Sequence, residues 1–345
     1  MTTGKKLRWG IISTGVIAHT LARTLAQSNT GELVAVASRT SEAAARFAAE
    51  FGVERAYGDY AALLADPEVD VVYIATPHPS HAHWAVLAAR AKKHVLCEKP
   101  LAMNHAQVDR MVQAARENDV FLMEAFMYRC HPQTQKLLSL LRSGSLGRIK
   151  GIQASFGFDG DFPADGRLLS NELGGGGILD VGCYPVSMAR LVAGVATGSA
   201  FSEPLEVQAT GHVGRESRVD EYTLAILKFP GEIVASLATS VQLWQDNVVR
   251  VFGSEGRLLL REPWHPARDR DFSEILIERP DREPETLCVP AADTAYGYEI
   301  DAVAAQIEQR EAREMTLADS LGNAQTLDRW RHAIGVRFAA DDGGA

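Results

Sequence analysis

The first 125 residues alternate between two periodicities, and that alternation leaves few folds open. Short β-rich runs, LRWGIIS (7–13), ELVAVAS (32–38), DVVYIAT (70–76), KHVLCEK (93–99) and VFLMEA (120–125), are separated by helically spaced stretches at 16–28, 41–51, 59–65, 80–91 and 104–118. The runs are apolar with little period-2 alternation, as expected of parallel strands covered on both faces. Strand–helix–strand repetition at this pace implies right-handed crossovers and a doubly wound parallel sheet.

Beyond a helical stretch at 132–142 the character changes. The turn SGSLGRI (143–149) leads into the strand IKGIQASFGF, and from about 205 to 278 strands follow one another without helices: EYTLAILKF, EIVASLATSVQLW, NVVRVFG and RLLLRE. Glycine-bearing turns, FPGE (229–232) and GSEG (253–256), join them as hairpins, so this sheet is antiparallel or mostly so. Helical segments return at 297–310 and 317–334, and the DDGGA tail is expected to fray. The fold class is therefore α/β, with a doubly wound domain over 1–125 and a second α/β domain with an open, mostly antiparallel sheet over 126–345. In EIVASLATS one face carries Val234, Ser236, Ala238 and Ser240. A flat, small-residued face invites a cover, and a homodimer or homotetramer through the C-terminal sheet is expected. A simply solvated face is the alternative.

Composition narrows the classes of partner. With 345 residues and 46% hydrophobic content the chain can bury two cores, and its net charge of -9 disfavours nucleic acid or an anionic membrane as partner. No run of 18 apolar residues stands out as a bilayer span, and MTTGKKLRWGII shows no cleavable signal. Cys97, Cys130, Cys183 and Cys288 are scattered without a C-x-x-C pair, which reads as reduced thiols of a cytoplasmic protein.

Within this frame, WGIISTGVIA (9–18) nearly spells the dinucleotide-binding turn G-x-G-x-x-G/A, with Ser13 at the first position, then Gly15 and Ala18. Ser13, Thr14, Gly15, Val16 and Ile17 would form the cradle, with backbone amides and a helix N-terminus toward a pyrophosphate. A strand-to-helix turn that binds nothing has the same local pattern. The second strand ends in Ser38-Arg39-Thr40, where an NAD site normally offers a carboxylate to the ribose 2′-hydroxyl. Hydroxyls and a guanidinium suit a 2′-phosphate instead, so NADP is expected and NAD remains possible. A solvated arginine before a helix capped at Ser41 is the bland reading.

CEKP (97–100) places Lys99 at the carboxyl rim of the sheet, where ligands of such folds bind. NELGGGGILDVGCYPV offers four glycines (174–177) for close approach by a substrate or cofactor, then Asp180 and Tyr184 four apart on one helical face. Pro185 implies a kink or a helix that begins nearby. A phenol with pKa near 10 is a poor base alone, but an ammonium beside it favours the phenolate. A Lys99–Tyr184–Asp180 cluster is thus suited to moving a proton while a carbinol loses hydride. The histidines of HPSHAH (78, 81, 83) have metal-like spacing without a carboxylate or thiolate partner, so no metal is expected, and His81 is expected near the nicotinamide. Trp244 and Trp264 are read as core aromatics or pocket walls.

Taken together, STGVIA, SRT, ATPHPSHAHWA, CEKP, MEAFMYRCHP and GGGGILDVGCYPVS, in this order along nearly the whole chain, resemble the Gfo/Idh/MocA oxidoreductases. The resemblance implies a Rossmann domain followed by an α/β domain with a mostly antiparallel sheet. It implies that Lys99 contacts substrate and nicotinamide ribose, that Asp180 orients substrate hydroxyls, and that position 184 transfers the proton. Many members carry histidine there; Tyr184 matches the branch of glucose–fructose oxidoreductase and dimeric dihydrodiol dehydrogenase. Thr76, Pro77, His81 and Glu98 match positions lining the cofactor, and Arg129 and Arg167 match basic positions near the substrate. The expected activity is hydride transfer between a nicotinamide cofactor and a sugar, polyol or related vicinal hydroxyl compound. A trans-dihydrodiol dehydrogenase and a non-catalytic dinucleotide-binding regulator are the alternatives.

Overall fold

The computed structural model describes residues 6–160, 162–163 and 166–341 of the chain. Residues 1–5 of MTTGKKLRWGII, read as lacking a cleavable signal, and 342–345 of the DDGGA tail, read as frayed, lie outside the described residues. The chain folds into two compact units. The first comprises 1–102, 106–130 and 293–320; the second comprises 103–105, 131–292 and 321–345. These units interleave along the chain where the sequence suggests a single boundary at 125.

In the first unit the strands β1 (Leu7–Ile12), β2 (Gly31–Ala37), β3 (Arg55–Tyr57), β4 (Val71–Ile74), β5 (His94–Glu98) and β6 (Leu122–Ala125) form one six-stranded sheet in the order 3-2-1-4-5-6. Every pairing within it is parallel. The crossovers carry α1 (Val16–Leu25), α2 (Ser41–Phe51), α3 (Tyr60–Leu64), α4 (His81–Arg90) and α5 (His105–Asn118), and the short α6 (Met127–Cys130) follows β6. The strand order reverses between β1 and β4, so the carboxyl ends of these strands open the crevice where folds of this kind take their ligands. Strand β3 escapes sequence reading because it is three residues long and lies at the sheet edge. The helix α9 (Ala295–Gln306) returns to pack on α1 and α6.

The second unit begins with α7 (Pro132–Arg142), as the spacing predicts. Its sheet has eight strands: β7 (Ile149–Gly157), β8 (Glu206–Val213), β9 (Asp220–Phe229), β10 (Ile233–Ser240), β11 (Val249–Gly253), β12 (Arg257–Leu260), β13 (Phe272–Glu278) and β14 (Glu285–Pro290). Their order is 14-13-12-11-7-10-9-8. All pairs are antiparallel except β7 with β10, which is why the sheet is mostly rather than wholly antiparallel.

One face of this sheet is covered by α8 (Cys183–Ala196), which packs on β7 and β10, and by α10 (Leu317–Ala333), whose Trp330 indole donates to Thr223 Oγ1 at 3.1 Å. Each buried Leu, Val or Met on α8 contributes roughly 1.5–3 kcal/mol. The segment 178–196, interrupted by Asp180 and Arg190, has a mean hydropathy of 1.4 over an 18-residue window, and 94% of that window is buried in the protein. From Tyr222 to the end of β9 the burial alternates, leaving Tyr222, Leu224 and Ile226 exposed on the face away from the helices, with Val234 on β10 beside them.

Candidate functional site

At the end of β1 the chain turns sharply. Ser13 adopts φ 90°, a left-handed conformation that favours glycine, and its amide donates to Ala37 O at 2.9 Å. Gly15 then precedes α1 in an extended conformation, and no side chain among the described residues caps the helix's first amides. A Cβ placed on Gly15 would meet nothing closer than Ser13 Oγ at 3.9 Å. Val16 is 88% exposed, Ile17 is half-buried, and Ala18 is buried against the sheet. Open amides, a positive helix end and unfilled space over a glycine suit a pyrophosphate.

The expected cofactor residues of β2 divide. Thr14 Oγ1 and Ser38 Oγ lie 3.2 Å apart and tie the turn to the end of β2. Thr40, not Ser41, caps α2: its hydroxyl accepts from the amide of Ala43 at 3.2 Å. Arg39 is exposed at the strand's carboxyl end.

At the ends of β4 and β5, Thr76 is buried with its hydroxyl lacking a partner among the described residues, and Pro77 is exposed. The His81 ring is fully buried, with Nε2 2.8 Å from Thr76 O and Nδ1 3.0 Å from Pro100 O. Burial lowers its pKa, and the neutral ring can donate to only one of these carbonyls. His81 therefore braces the Thr76 and Lys99–Pro100 turns, a correction to the expectation that it faces the nicotinamide. Glu98 takes a hydrogen bond from the Tyr73 hydroxyl on one oxygen and from the Lys99 amide at 3.2 Å on the other, which fixes the backbone of half-buried Lys99. No group of three His, Cys, Asp or Glu among the described residues is arranged to hold a metal.

Arg129 is corrected more strongly. Its guanidinium is buried, paired with Asp319, and donates from Nε to Glu314 O at 2.8 Å. Its charge-assisted bonds fasten α6 to the 314–319 segment, and we leave it out of the substrate site. Near it lies a group that sequence reading missed. Glu299 on α9 is fully buried, neither carboxyl oxygen has a hydrogen-bond partner among the described residues, and burial together with the charge of Glu98 pushes its pKa well above the usual carboxylate range.

In the second unit the tetraglycine turn leads into one turn of π-helix, Ile178–Gly182, that continues as α8. The wider turn carries Asp180, and Tyr184 follows in the first α-helical turn. It also accommodates Pro185, whose missing amide is most tolerable at a helix start. Asp180 Oδ1 accepts from Arg167 Nη2 at 2.9 Å, while Arg167 Nη1 is buried without a partner among the described residues. An oxygen-rich ligand would satisfy that donor. Tyr184 is 4% exposed, with its ring edge-on to Phe156 (centroids 5.2 Å) and Trp264 (5.7 Å). Trp264 stacks on Phe156 and donates to Ser155 O at 2.9 Å, so it is a core wall beside Tyr184, whereas Trp244 is exposed.

Comparison with known proteins decides what these features belong to. Residues 7–126 match the model of an oxidoreductase family with an NAD-binding Rossmann fold, and residues 134–259 match the GFO/IDH/MocA C-terminal domain. The chain belongs to the GFO/IDH/MocA oxidoreductase family. It is 35% identical over 340 residues to trans-1,2-dihydrobenzene-1,2-diol dehydrogenase of Danio rerio, covering 97% of this chain and 99% of that one. It also resembles the crystal structure of KijD10, a 3-ketoreductase from Actinomadura kijaniata in complex with NADP and TDP-benzene. The TM-score is 0.85 at 32% identity, covering 96% of this chain and 98% of that one. Aldose–aldose oxidoreductase from Caulobacter crescentus, crystallised with glycerol, shares the fold with a TM-score of 0.85 at 24% identity, over 95% of this chain and 97% of that one.

Proposed function

We propose that this member of the family is an NADP-preferring dehydrogenase or reductase acting on the CH–OH group of a sugar, polyol or related vicinal hydroxyl compound. The observation that carries the reading is the uncapped turn at Gly15, with Arg39 exposed at the end of β2 where an NAD site would have a carboxylate. Ser13, Thr14, Gly15, Val16 and Ile17 hold the pyrophosphate, Ser38 and Arg39 the adenosine ribose and its phosphate, and Thr76, Pro77, Glu98 and Lys99 the nicotinamide half. When bound, the nicotinamide accepts or supplies hydride.

The chain's own residues do the rest. Arg167 and Asp180 orient neighbouring hydroxyls, and Tyr184 Oη takes the proton from the reacting hydroxyl as the carbonyl forms. In the role that the family resemblance gives it, the Lys99 ammonium steadies the oxygen on which charge changes. The NADP complex of KijD10 supports the choice of cofactor, and the bond from the Lys99 amide to Glu98 supports a fixed backbone at that lysine.

A second reading, a trans-dihydrodiol dehydrogenase, draws on the Danio rerio relative and on the flat apolar wall that Phe156 and Trp264 form beside Tyr184. The exposed row of Tyr222, Leu224, Ile226 and Val234 supports a homodimer or homotetramer built on this sheet face, and four cysteines that form no disulfide among the described residues support a cytoplasmic enzyme.

A turnover screen of monosaccharides, polyols and a cyclohexadiene diol with NADP and NAD tests the proposal. Tyr184→Phe should lower kcat by about 100-fold or more. Arg39→Ala should weaken NADP far more than NAD. Near-normal turnover in Tyr184→Phe would remove the tyrosine from its role.

A further inference from the structure

The tetraglycine turn is filled by the protein itself. A Cβ on Gly175 would lie 2.5 Å from Leu168 O, and one on Gly176, at φ 95°, would lie 2.4 Å from Asp220 Oδ1. Asp220 is the first residue of β9 and fully buried. Its Oδ2 accepts from the amide of Ile178, the first residue of the π-helical turn, at 2.6 Å. On the other side, Thr239 Oγ1 of β10 donates to Gly177 O at 3.0 Å. Two strand ends thus grip the segment from which Asp180 projects two residues later and Tyr184 six residues later. The same turn also holds the Arg167 segment, since the amide of Gly176 donates to Leu168 O at 2.8 Å. Burial pushes the Asp220 carboxyl up to about 7, against the opposing pull of the amides of Ile178, Gly177 and its own residue.

We propose that Asp220 is a positioning residue that fixes the start of the helix carrying Asp180 and Tyr184, through its bond to the Ile178 amide and its packing against Gly176. The proposal rests on the proton-transfer role given to that helix above. Asp220 touches no reacting atom; it sets where the phenol and the Arg167–Asp180 pair stand, and small displacements of such groups slow catalysis steeply.

The experiment compares Asp220→Ala, which removes the acceptor, with Asp220→Asn, which keeps an oxygen at the same reach. Expected for Asp220→Ala is a fall in kcat of at least 10-fold, with the NADPH Kd within twofold of wild type by fluorescence titration. Asp220→Asn should recover at least a third of the wild-type kcat. If the alanine variant does not fold, Asp220→Ser, too short to reach the Ile178 amide, takes its place with the same expectation. Wild-type kcat in a folded alanine or serine variant overturns the proposal, as does a loss that asparagine does not restore.

Hydrogen exchange of a peptide spanning 174–186 gives a readout independent of substrate. It should quicken at least 10-fold in the alanine or serine variant and little in Asp220→Asn. Unchanged exchange overturns the positioning role. A wild-type protein that turns over no diol or sugar refutes the functional reading alone, because the exchange arm still decides the role of Asp220.

Discussion

Two glycine turns, each at the start of a helix, look alike in the sequence and differ in what fills them. Around Gly15 the space over the backbone is open, the helix amides are uncapped, and the nearest atom to an added Cβ is 3.9 Å away. Around Gly175 and Gly176 the space is taken by Leu168 O and by the Asp220 carboxylate within 2.5 Å. The first glycine leaves room for something the chain does not contain. The second pair lets the chain close on itself and brace the helix that carries Asp180 and Tyr184, contrary to the sequence expectation that a substrate or cofactor approaches there. A glycine-rich loop is therefore evidence for a ligand only where its surroundings are empty.

This contrast is most sharply tested at Gly176. Gly176→Ala should cost about 3 kcal/mol or more, since it combines a disfavoured φ with overpacking against Asp220, and chemical denaturation reads the loss. If it were neutral, the second turn would be as open as the first.

Glu299 gives the next largest effect. Its folded pKa lies well above the unfolded value near 4.5. The folded carboxyl keeps its proton while the unfolded one ionises, so the wild type loses stability as pH rises above 4.5, at roughly 1.4 kcal/mol per pH unit until the folded value is reached. Glu299→Gln should be as stable as wild type at pH 5 and more stable at pH 8, measured by denaturation at both. Parallel pH profiles of the two proteins would refute a buried, proton-holding Glu299.

Gly15→Ala should change stability by less than about 1 kcal/mol, because the extended backbone admits alanine, yet weaken NADPH binding by roughly 10-fold in a fluorescence titration. A large stability loss with intact binding would reverse the assignments of the two turns. The smallest effect is expected at Ser13. Ser13→Gly relieves a left-handed serine but frees the unfolded chain, for a net gain of at most about 1 kcal/mol in thermal or chemical unfolding.

Much of the candidate site was legible because its signals are local. Ser13-Thr14-Gly15 lies between a strand and a helix, Arg39 ends the second strand, and Asp180 and Tyr184 share one short helical stretch; each needs only neighbours in sequence. The buried pairing of Arg129 is not legible in the same way, because its partner Asp319 stands 190 residues away, and a basic residue next to a motif looks the same whether it meets substrate or a buried carboxylate. His81 has a metal-like or ligand-like spacing in the chain, and only folding shows two backbone carbonyls against its ring.

What the sequence alone determined was the alternation of apolar strands and amphipathic helices, hence a doubly wound sheet with its binding crevice at the carboxyl ends, and the chemical kinds of side chain held ready there. Periodicity and turn chemistry act over a few residues, so they can be read without coordinates. The tertiary structure alone decided that 293–320 returns to the first unit, that Asp220 occupies the glycine turn and that Glu299 is sealed without a hydrogen-bond partner among the described residues. Those facts depend on burial and on contacts between residues distant in the chain, and desolvation, which sets their energetics, exists only once the chain has packed.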